Sequence, residues 1–158
     1  MVSRRIEHWH NPSAPRANSL VPASNLLVVN ENGDILLQRR RDTGQWALPG
    51  GKQELGETPA ECAVRECAEE TGVRARVTGL LGIYSDPAHL VEYTSDGEVR
   101  QEFEITLIGE PVSGAPAAND EASDVRWISP QDLDEFDIHP TMRRQMDDYL
   151  NERYPTVD

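Results

Sequence analysis

The stretch from Gly50 to Val73, GGKQELGETPAECAVRECAEETGV, decides the fold of this chain. It joins a glycine-rich loop to a segment that carries the start and stop signals of a helix. Thr58 is a suitable N-cap, Pro59 fits the first turn, and Glu61 completes a capping box. Gly72 is a natural end point, because glycine adopts the left-handed cap conformation freely. The stretch therefore predicts a helix of about thirteen residues that begins at Pro59.

The two faces of this predicted helix differ in chemistry. Small apolar residues recur every three or four positions and form a packing stripe: Ala60, Ala63, Val64, Cys67 and Thr71. Glu66, Glu69 and Glu70 follow the helical spacing on the other side, so their carboxylates converge and repel one another. A divalent cation between them would relieve the repulsion, and hard oxygen ligands favour Mg²⁺, with Mn²⁺ next. The alternative is a solvated acidic face on which Arg65 forms ordinary surface ion pairs.

Loop and helix together match a known motif at nine positions with its spacing intact: Gly51, Glu57, Arg65, Glu66, Cys67, Glu69, Glu70, Gly72 and Val73. The sequence therefore resembles the Nudix (MutT-type) hydrolases, and the preceding segment WALPGG is also typical of that family. Cys67 departs from the aliphatic residue usual there. Cysteine packs as a small hydrophobe, so we expect a slightly looser helix contact and no loss of chemistry.

The resemblance implies an α/β fold, specifically an α/β/α sandwich with a mixed central sheet. Pattern alone indicates only an α/β or α+β protein. We expect an N-terminal arm at residues 1–19 and one Nudix domain at 20–158 that includes a C-terminal helix. Within the domain, residues 20–29 and 35–40 predict a hairpin around Asn32-Gly33. Residues 85–97 and 109–123 are expected to be loops, on either side of a half-buried strand at 99–108.

The resemblance also assigns roles to single residues. It implies metal ligands at the carbonyl of Gly51 and at the carboxylates of Glu66, Glu69, Glu70 and Glu121. Glu66, Glu70 and Glu121 are alternative general bases, a point on which the family varies. Arg65 is expected to pair with Glu57 or Glu69 and to keep the carboxylates directed at the metal.

Substrate recognition is less sharply defined. The resemblance favours Arg39 as a contact to the base or phosphate, whereas Arg40 and Arg41 are interpreted as surface residues. Alternatively, these arginines lie on an edge strand, where their charge prevents aggregation with the edge of another sheet. Glu102 and Glu104 either line the cleft or face water. His89 and Tyr93 either contact the substrate or belong to a solvated loop.

Composition excludes several classes of function. With 28 acidic and 15 basic residues the net charge is −13, which argues against binding of nucleic-acid polymers through a broad basic surface. The sequence contains neither a long apolar run nor a secretory signal, so we expect no membrane span. Cys62 and Cys67 point in different directions on one helix and cannot pair, which indicates a reducing, cytoplasmic setting.

Trp9 would either pack on the domain or form a homodimer contact.

These observations predict an enzyme that hydrolyses a pyrophosphate bond in a nucleoside diphosphate linked to a group X, with Mg²⁺ as cofactor. An ADP-ribose or NDP-sugar substrate and a (d)NTP substrate are comparably favoured. The alternative is a catalytically silent Nudix-fold module that senses a nucleotide. Such modules usually have a degraded motif, whereas the acids here are intact.

Overall fold

The structure, a computed structural model, describes residues 4–158. Strands dominate it, with one helix in the middle of the chain and a second near the end. The strands are β1 (Arg5–Trp9), β2 (Ser19–Val28), β3 (Ile35–Arg40), β4 (Trp46–Ala47), β5 (Gly50–Lys52), β6 (Val73–Tyr84), β7 (His89–Tyr93), β8 (Glu98–Gly114), β9 (Ala122–Ile128) and β10 (Thr156–Val157). The helices are α1 (Pro59–Thr71), a 3₁₀ helix (Pro130–Glu135) and α2 (Pro140–Leu150).

The strands form two sheets. The larger has the order β1-β7-β8-β2-β5, with β6 paired to β8 and to β10, and the smaller has the order β4-β3-β9. The larger sheet is mixed. Strand β2 runs parallel to β8 and β10 runs parallel to β6, whereas β6 and β7 pair antiparallel with β8, and β5 pairs antiparallel with β2. Strand β8 is long enough to pair with three other strands, and it therefore organises this sheet.

Helix α1 has the boundaries that the sequence predicts. The hydroxyl of Thr58 accepts from the backbone N–H of Glu61 at 3.1 Å, and the carboxylate of Glu61 accepts from the N–H of Thr58 at 2.9 Å. Gly72 ends the helix with φ of 79°. Every signal used here is local, which explains why the prediction is accurate.

The two helices pack on opposite faces of β2. Leu26 and Val28 belong to the core that contains Cys67 of α1, whereas Leu27 belongs to the core that contains Met146 of α2. Alternate side chains of a strand point to opposite faces, so one strand supplies both cores. This arrangement confirms the predicted sandwich with a mixed central sheet.

The predicted hairpin is wrong in its pairing, although its turn is present. Gly33 has φ of 80° and its N–H bonds to the carbonyl of Asn30 at 3.0 Å. Beyond a single bridge between Val29 and Ile35, however, β2 and β3 enter different sheets. Since β3 lies between β4 and β9, the interpretation of its arginines as protection of an edge strand is also wrong.

Three segments contain more strand than the sequence indicates. The arm contributes β1, which pairs antiparallel with β7, and β7 itself lies within the segment predicted to be a loop. The second predicted loop is shorter than expected, because β8 continues to Gly114. Strand β1 is mostly polar and its partner in β7 lies 80 or more residues away, so it shows no local signal. Strand β7 also pairs antiparallel with the adjacent β8.

The C-terminal helix forms from Pro140, with His139 as its N-cap. The segment before it is a 3₁₀ helix, in which the side chain of Ser129 makes no capping bond. Leu150, the last residue of α2, is 39 % exposed. Neither helix of the described part of the chain is long and apolar enough to cross a membrane.

Candidate active site

A cavity of about 310 Å³ opens between α1, the glycine-rich loop and the larger sheet. One side of it carries Gly51, Glu66, Glu70 and Glu121, which come from the loop, from α1 and from the segment before β9. The cavity is at the lower end of the size range of small-ligand sites. It is the natural candidate for the active site.

The glycine-rich loop lies directly against the carboxylate side of α1. A Cβ atom at Gly51 would stand 2.7 Å from the carboxyl carbon of Glu66, and one at Gly50 would stand 2.5 Å from the carbonyl oxygen of Ser24. Only residues without a side chain allow this approach. The double glycine therefore lets the backbone of the loop lie against strand β2 and against the carboxylate of Glu66, while the carbonyl oxygen of Gly51 accepts from Sγ of Cys62 at 3.4 Å.

Glu70 is the most buried of these carboxylates, with 4 % of its surface exposed. One oxygen accepts from the backbone N–H of Gly50 at 2.9 Å, and the other accepts from Nε2 of Gln38 at 2.6 Å. Burial raises the pKa of Glu70 to about 7 against the effect of these hydrogen bonds, and the charge of Glu66 adds to the rise. Near neutral pH the Glu70 carboxyl is therefore only partly ionised.

Arg65 connects the carboxylates of the motif. Its guanidinium contacts both oxygens of Glu57, and its Nη1 lies 3.0 Å from Oε1 of Glu66 and 3.3 Å from Oε2 of Glu69. The hydrogen bond from Arg65 lowers the pKa of Glu57 to about 2. One guanidinium thus fixes the position of Glu66 through an ion-pair network.

The structure brings together four of the five predicted metal ligands and leaves Glu69 outside. The side chain of Glu69 is 57 % exposed and is turned toward Arg65, one helical turn away. Glu121 is exposed at the edge of the cavity, and within residues 4–158 only its backbone makes hydrogen bonds. The candidate ligand set is therefore Gly51, Glu66, Glu70 and Glu121.

The structure does not place Arg39 at the cavity. Its side chain is exposed and Nε donates to the carbonyl of Gly44 at 3.0 Å. The next residue, Arg40, lines the cavity, where Nε and Nη2 donate to the two oxygens of Asp42 at 2.8 and 2.6 Å. The sequence pattern identified the arginine-bearing strand end but not which of two alternating faces points inward.

The wall opposite the motif is rich in charge. Arg5 and Glu7 of β1 line it beside Glu102 and Glu104 of β8. Burial, together with the charge of Glu104, raises the pKa of Glu102 to about 7. The question left open for Glu102 and Glu104 is thereby answered, since both line the cavity. The sequence analysis did not identify Arg5 and Glu7. Their spacing of two residues, which places both side chains on one face of a strand, is the only local signal that could have indicated them.

His89 and Tyr93 also lie near this wall, on β7. His89 is 5 % exposed and Nε2 lies 2.7 Å from Oε1 of Glu7, so it is not a solvated loop residue. Tyr93 lines the cavity, with the guanidinium of Arg100 stacked 5.0 Å from the centre of its ring.

Comparison with known proteins agrees with this geometry. The NUDIX domain family matches residues 19–149. The chain is 35 % identical over 127 residues to a putative 8-oxo-dGTP diphosphatase of Bacillus subtilis, covering 80 % of this chain and 77 % of that one. It is 35 % identical over 109 residues to an ADP-ribose pyrophosphatase of Methanocaldococcus jannaschii, covering 67 % of this chain and 60 % of that one.

Among solved structures, a NUDIX hydrolase from Nitrosomonas europaea superimposes with a TM-score of 0.70 at 22 % identity, covering 90 % of this chain and 78 % of that one. At this identity the likeness shows the fold. The chain belongs to the Nudix family, whose enzymes hydrolyse pyrophosphate bonds.

Proposed function

We propose that this protein hydrolyses the pyrophosphate bond of a nucleoside diphosphate linked to a group X, with Mg²⁺ as its cofactor and Mn²⁺ as a substitute. The observation that carries the proposal is the convergence of Glu66, Glu70, Glu121 and the Gly51 backbone on one cavity. Attack of water on phosphorus would break one P–O–P bond and give two phosphate-bearing products.

The residues present fit a hard divalent cation. All four candidate ligands offer oxygen, and the loop approaches Glu66 so closely that a Cβ atom at Gly51 has no room. When bound, the metal would neutralise charge on the pyrophosphate oxygens and lower the pKa of water. Arg65 would act through Glu66 by keeping that carboxylate in place.

Glu121 is our candidate for the general base. Glu66 is held by Arg65, and both oxygens of Glu70 already accept hydrogen bonds. The Glu121 carboxylate has no such partner in the described chain, so it is free to take a proton from water at the cavity edge. Replacement of Glu121 by Gln should therefore lower kcat with a smaller effect on metal affinity.

The names of the relatives support a nucleotide substrate, but they name different substrates and therefore leave the identity of the group X open. One relative is named as acting on 8-oxo-dGTP and another on ADP-ribose. Both compounds contain a nucleoside joined to a pyrophosphate. Arg40 lines the cavity beside Glu70 and supplies a positive charge for such a phosphate chain.

The test is hydrolysis, followed by chromatography of the nucleotide products, of a panel of ADP-ribose, other NDP-sugars, dinucleoside polyphosphates, canonical dNTPs and 8-oxo-dGTP. Each compound is assayed with Mg²⁺, with Mn²⁺ and with EDTA. We expect one strongly preferred substrate that is turned over only with metal. Binding of Mg²⁺ without turnover of any compound would favour the nucleotide-sensing module instead.

A Glu70→Gln variant links this activity to the site. We expect kcat to fall by at least about 10²–10³-fold, as is typical when a group that stabilises the transition state is lost. Stability should change little, because Gln38 has an unpartnered buried Oε1 that can accept from the new amide after a flip. Glu135→Gln, on the exposed 3₁₀ helix, is the matched control. Near-full activity of Glu70→Gln would exclude Glu70 as a metal ligand.

Two further expectations concern the setting of the protein. Cys62 and Cys67 are both buried and unpaired, which fits the cytoplasmic location that we propose. A homodimer also remains a prediction, and sedimentation of the purified chain would test it.

A further inference from the structure

A second group of metal-ligating side chains lies apart from the carboxylates of the motif. Each of the four histidines places a ring nitrogen near a carboxylate. His8 and His10 each have a carboxylate of their own, at 3.0 Å in both cases. His89 and His139, by contrast, share the single carboxylate of Glu7.

The three shared groups have the spacing of ligands around one ion. Nε2 of His89 lies 2.7 Å and Nε2 of His139 lies 3.4 Å from the same oxygen, Oε1 of Glu7. All three ligand atoms lie within 4.8 Å of one another. The two imidazole rings are stacked, with centres 5.2 Å apart and planes inclined by 19°, and the Nε2 atoms of both lie near Oε1 of Glu7.

Burial and charge also suit a cation. The side chains of His89, His139 and Glu7 are 6 %, 12 % and 15 % exposed. Although burial acts to raise it, the pKa of Glu7 is lowered to about 2 by the hydrogen bond to His89 and by neighbouring positive groups. Arg5 occupies only the other oxygen, Oε2, at 2.9 Å. Oε1 is therefore an ionised ligand atom that is shared by two imidazoles.

We propose that Glu7, His89 and His139 form a binding site for one borderline divalent transition-metal ion, with Zn²⁺ as the type case. Two imidazole nitrogens and one carboxylate oxygen are a ligand set that suits Zn²⁺ and disfavours Mg²⁺. Glu7 and His139 also line the large cavity, so the remaining coordination position would face water or a ligand there.

The surroundings of His139 supply the proton acceptor that such a site needs. In the protein as described, Nδ1 accepts from the backbone N–H of Thr141 at 3.2 Å, so the proton of the neutral ring is on Nε2. Binding of a metal would displace to water the proton that Nε2 of His89 donates to Oε1 of Glu7, and on His139 the ring would carry its proton on Nδ1 instead. The hydroxyl oxygen of Thr141 lies 2.8 Å from Nδ1 and can accept it. Once Nδ1 carries the proton, it can no longer accept from the backbone N–H of Thr141, so α2 loses one N-terminal capping hydrogen bond.

The proposed ion would join three parts of the chain. Glu7 lies on β1, His89 on β7, and His139 at the start of α2. Strand β1 lies outside the residues that the NUDIX family matches. An ion here would therefore tie the N-terminal strand to the domain and stabilise the folded state by mass action.

The experiment uses the full-length wild-type protein with Mg²⁺ in excess, so that the carboxylates of the motif are occupied. Zn²⁺ is added in steps, and the imidazole nitrogens of all four histidines are followed by NMR. We expect the signals of His89 and His139 to shift together and saturate at one Zn²⁺ per chain, while those of His8 and His10 stay in place. The thermal unfolding midpoint should rise over the same titration.

Variants locate the ion independently. His139→Gln and Glu7→Gln should each weaken Zn²⁺ binding at least about tenfold and abolish the rise in the unfolding midpoint. His10→Gln, which removes a surface histidine–carboxylate pair, should change neither. If the His139→Gln variant fails to fold, the NMR titration of the wild-type protein still tests whether His89 and His139 bind Zn²⁺.

Unmoved signals of His89 and His139 at one equivalent of Zn²⁺, or equal shifts of all four histidines, would overturn the proposal. The readout does not depend on turnover. Failure would leave the proposed pyrophosphate hydrolysis untouched, and an inactive enzyme could still bind Zn²⁺ here.

Discussion

At the scale of single residues, the adjacent glycines of the loop before α1 have different jobs. A side chain at Gly50 would meet the backbone oxygen of Ser24, which cannot move without the sheet. A side chain at Gly51 would meet the carboxylate of Glu66, which is the end of a flexible side chain. The first contact concerns stability and the second concerns function.

The two corresponding alanine variants should therefore separate stability from activity. Gly50→Ala should lower the free energy of unfolding by about 1–3 kcal/mol, because overpacking against backbone forces a shift of the strand. Gly51→Ala should change it by less than about 1 kcal/mol, yet weaken Mg²⁺ binding and kcat/KM by displacing Glu66. Urea unfolding and metal titration on both variants provide the measurement.

Each glycine variant is the control for the other. Equal loss of stability in both, with activity retained in the folded fraction of Gly51→Ala, would contradict the assignment of Glu66 to the metal site. That result would not affect the described conformation of the glycine-rich loop.

At the scale of elements, strand alternation decides which arginine of β3 can meet the substrate. Arg40 lines the cavity, and its guanidinium is held by Asp42. Arg39 points to the other face and caps the carbonyl of Gly44. Because successive side chains of a strand face opposite ways, this one-residue difference moves our proposed substrate contact from Arg39 to Arg40.

We expect Arg40→Ala to raise KM about tenfold or more, since a hydrogen bond to a charged group is worth about 1.5–3 kcal/mol. Arg39→Ala should leave KM within about twofold, because surface contacts contribute little. Steady-state kinetics on the preferred substrate tests the pair. A larger effect for Arg39→Ala would restore the original assignment and contradict the placement of the cavity.

Elements also differ in how much of their own structure they specify. Helix α1 carries its cap, its first-turn proline and its terminating glycine within one short stretch. Strand β1 carries no such signal, and it exists through pairing with β7, where Ile6 lies opposite Glu92. Local hydrogen bonds are readable from sequence, whereas a ladder between distant strands is not.

At the scale of the whole molecule, the excess of acid is concentrated rather than spread evenly. Glu7, Glu66, Glu70, Glu102 and Glu104 all line one cavity within a chain of net charge −13. Burial, with repulsion between neighbouring carboxylates adding to it, holds the pKa values of Glu66, Glu70 and Glu102 above the ordinary value. Two of these carboxylates, Glu66 and Glu70, belong to the set that we propose as cation ligands, so protons and the cation compete for them.

Metal binding should accordingly release protons in a pH-dependent manner. Burial raises the pKa of Glu70 to about 7, so below that pH its carboxyl is protonated and competes with the metal. Apparent Mg²⁺ affinity should rise with pH up to about 7 and level off above it. Calorimetry in buffers of different ionisation enthalpy should show roughly one more proton released at pH 6 than at pH 8.

The Glu70→Gln variant should lose this difference between the two pH values. A wild-type protein that releases the same number of protons at both would show that the Glu70 carboxyl is already ionised in the metal-free state. That result would contradict the role of burial at this position.

The sequence by itself determined the family, the limits of α1, and the residue types of the metal-side carboxylates, since these depend on contacts within a single short stretch. Only the tertiary structure decided that Arg40 and not Arg39 lines the cavity, that Glu69 lies outside it, and that β1 forms its opposite wall. Those features depend on which way a strand faces and on partners distant in the chain, and the hydrophobic pattern encodes neither for polar segments.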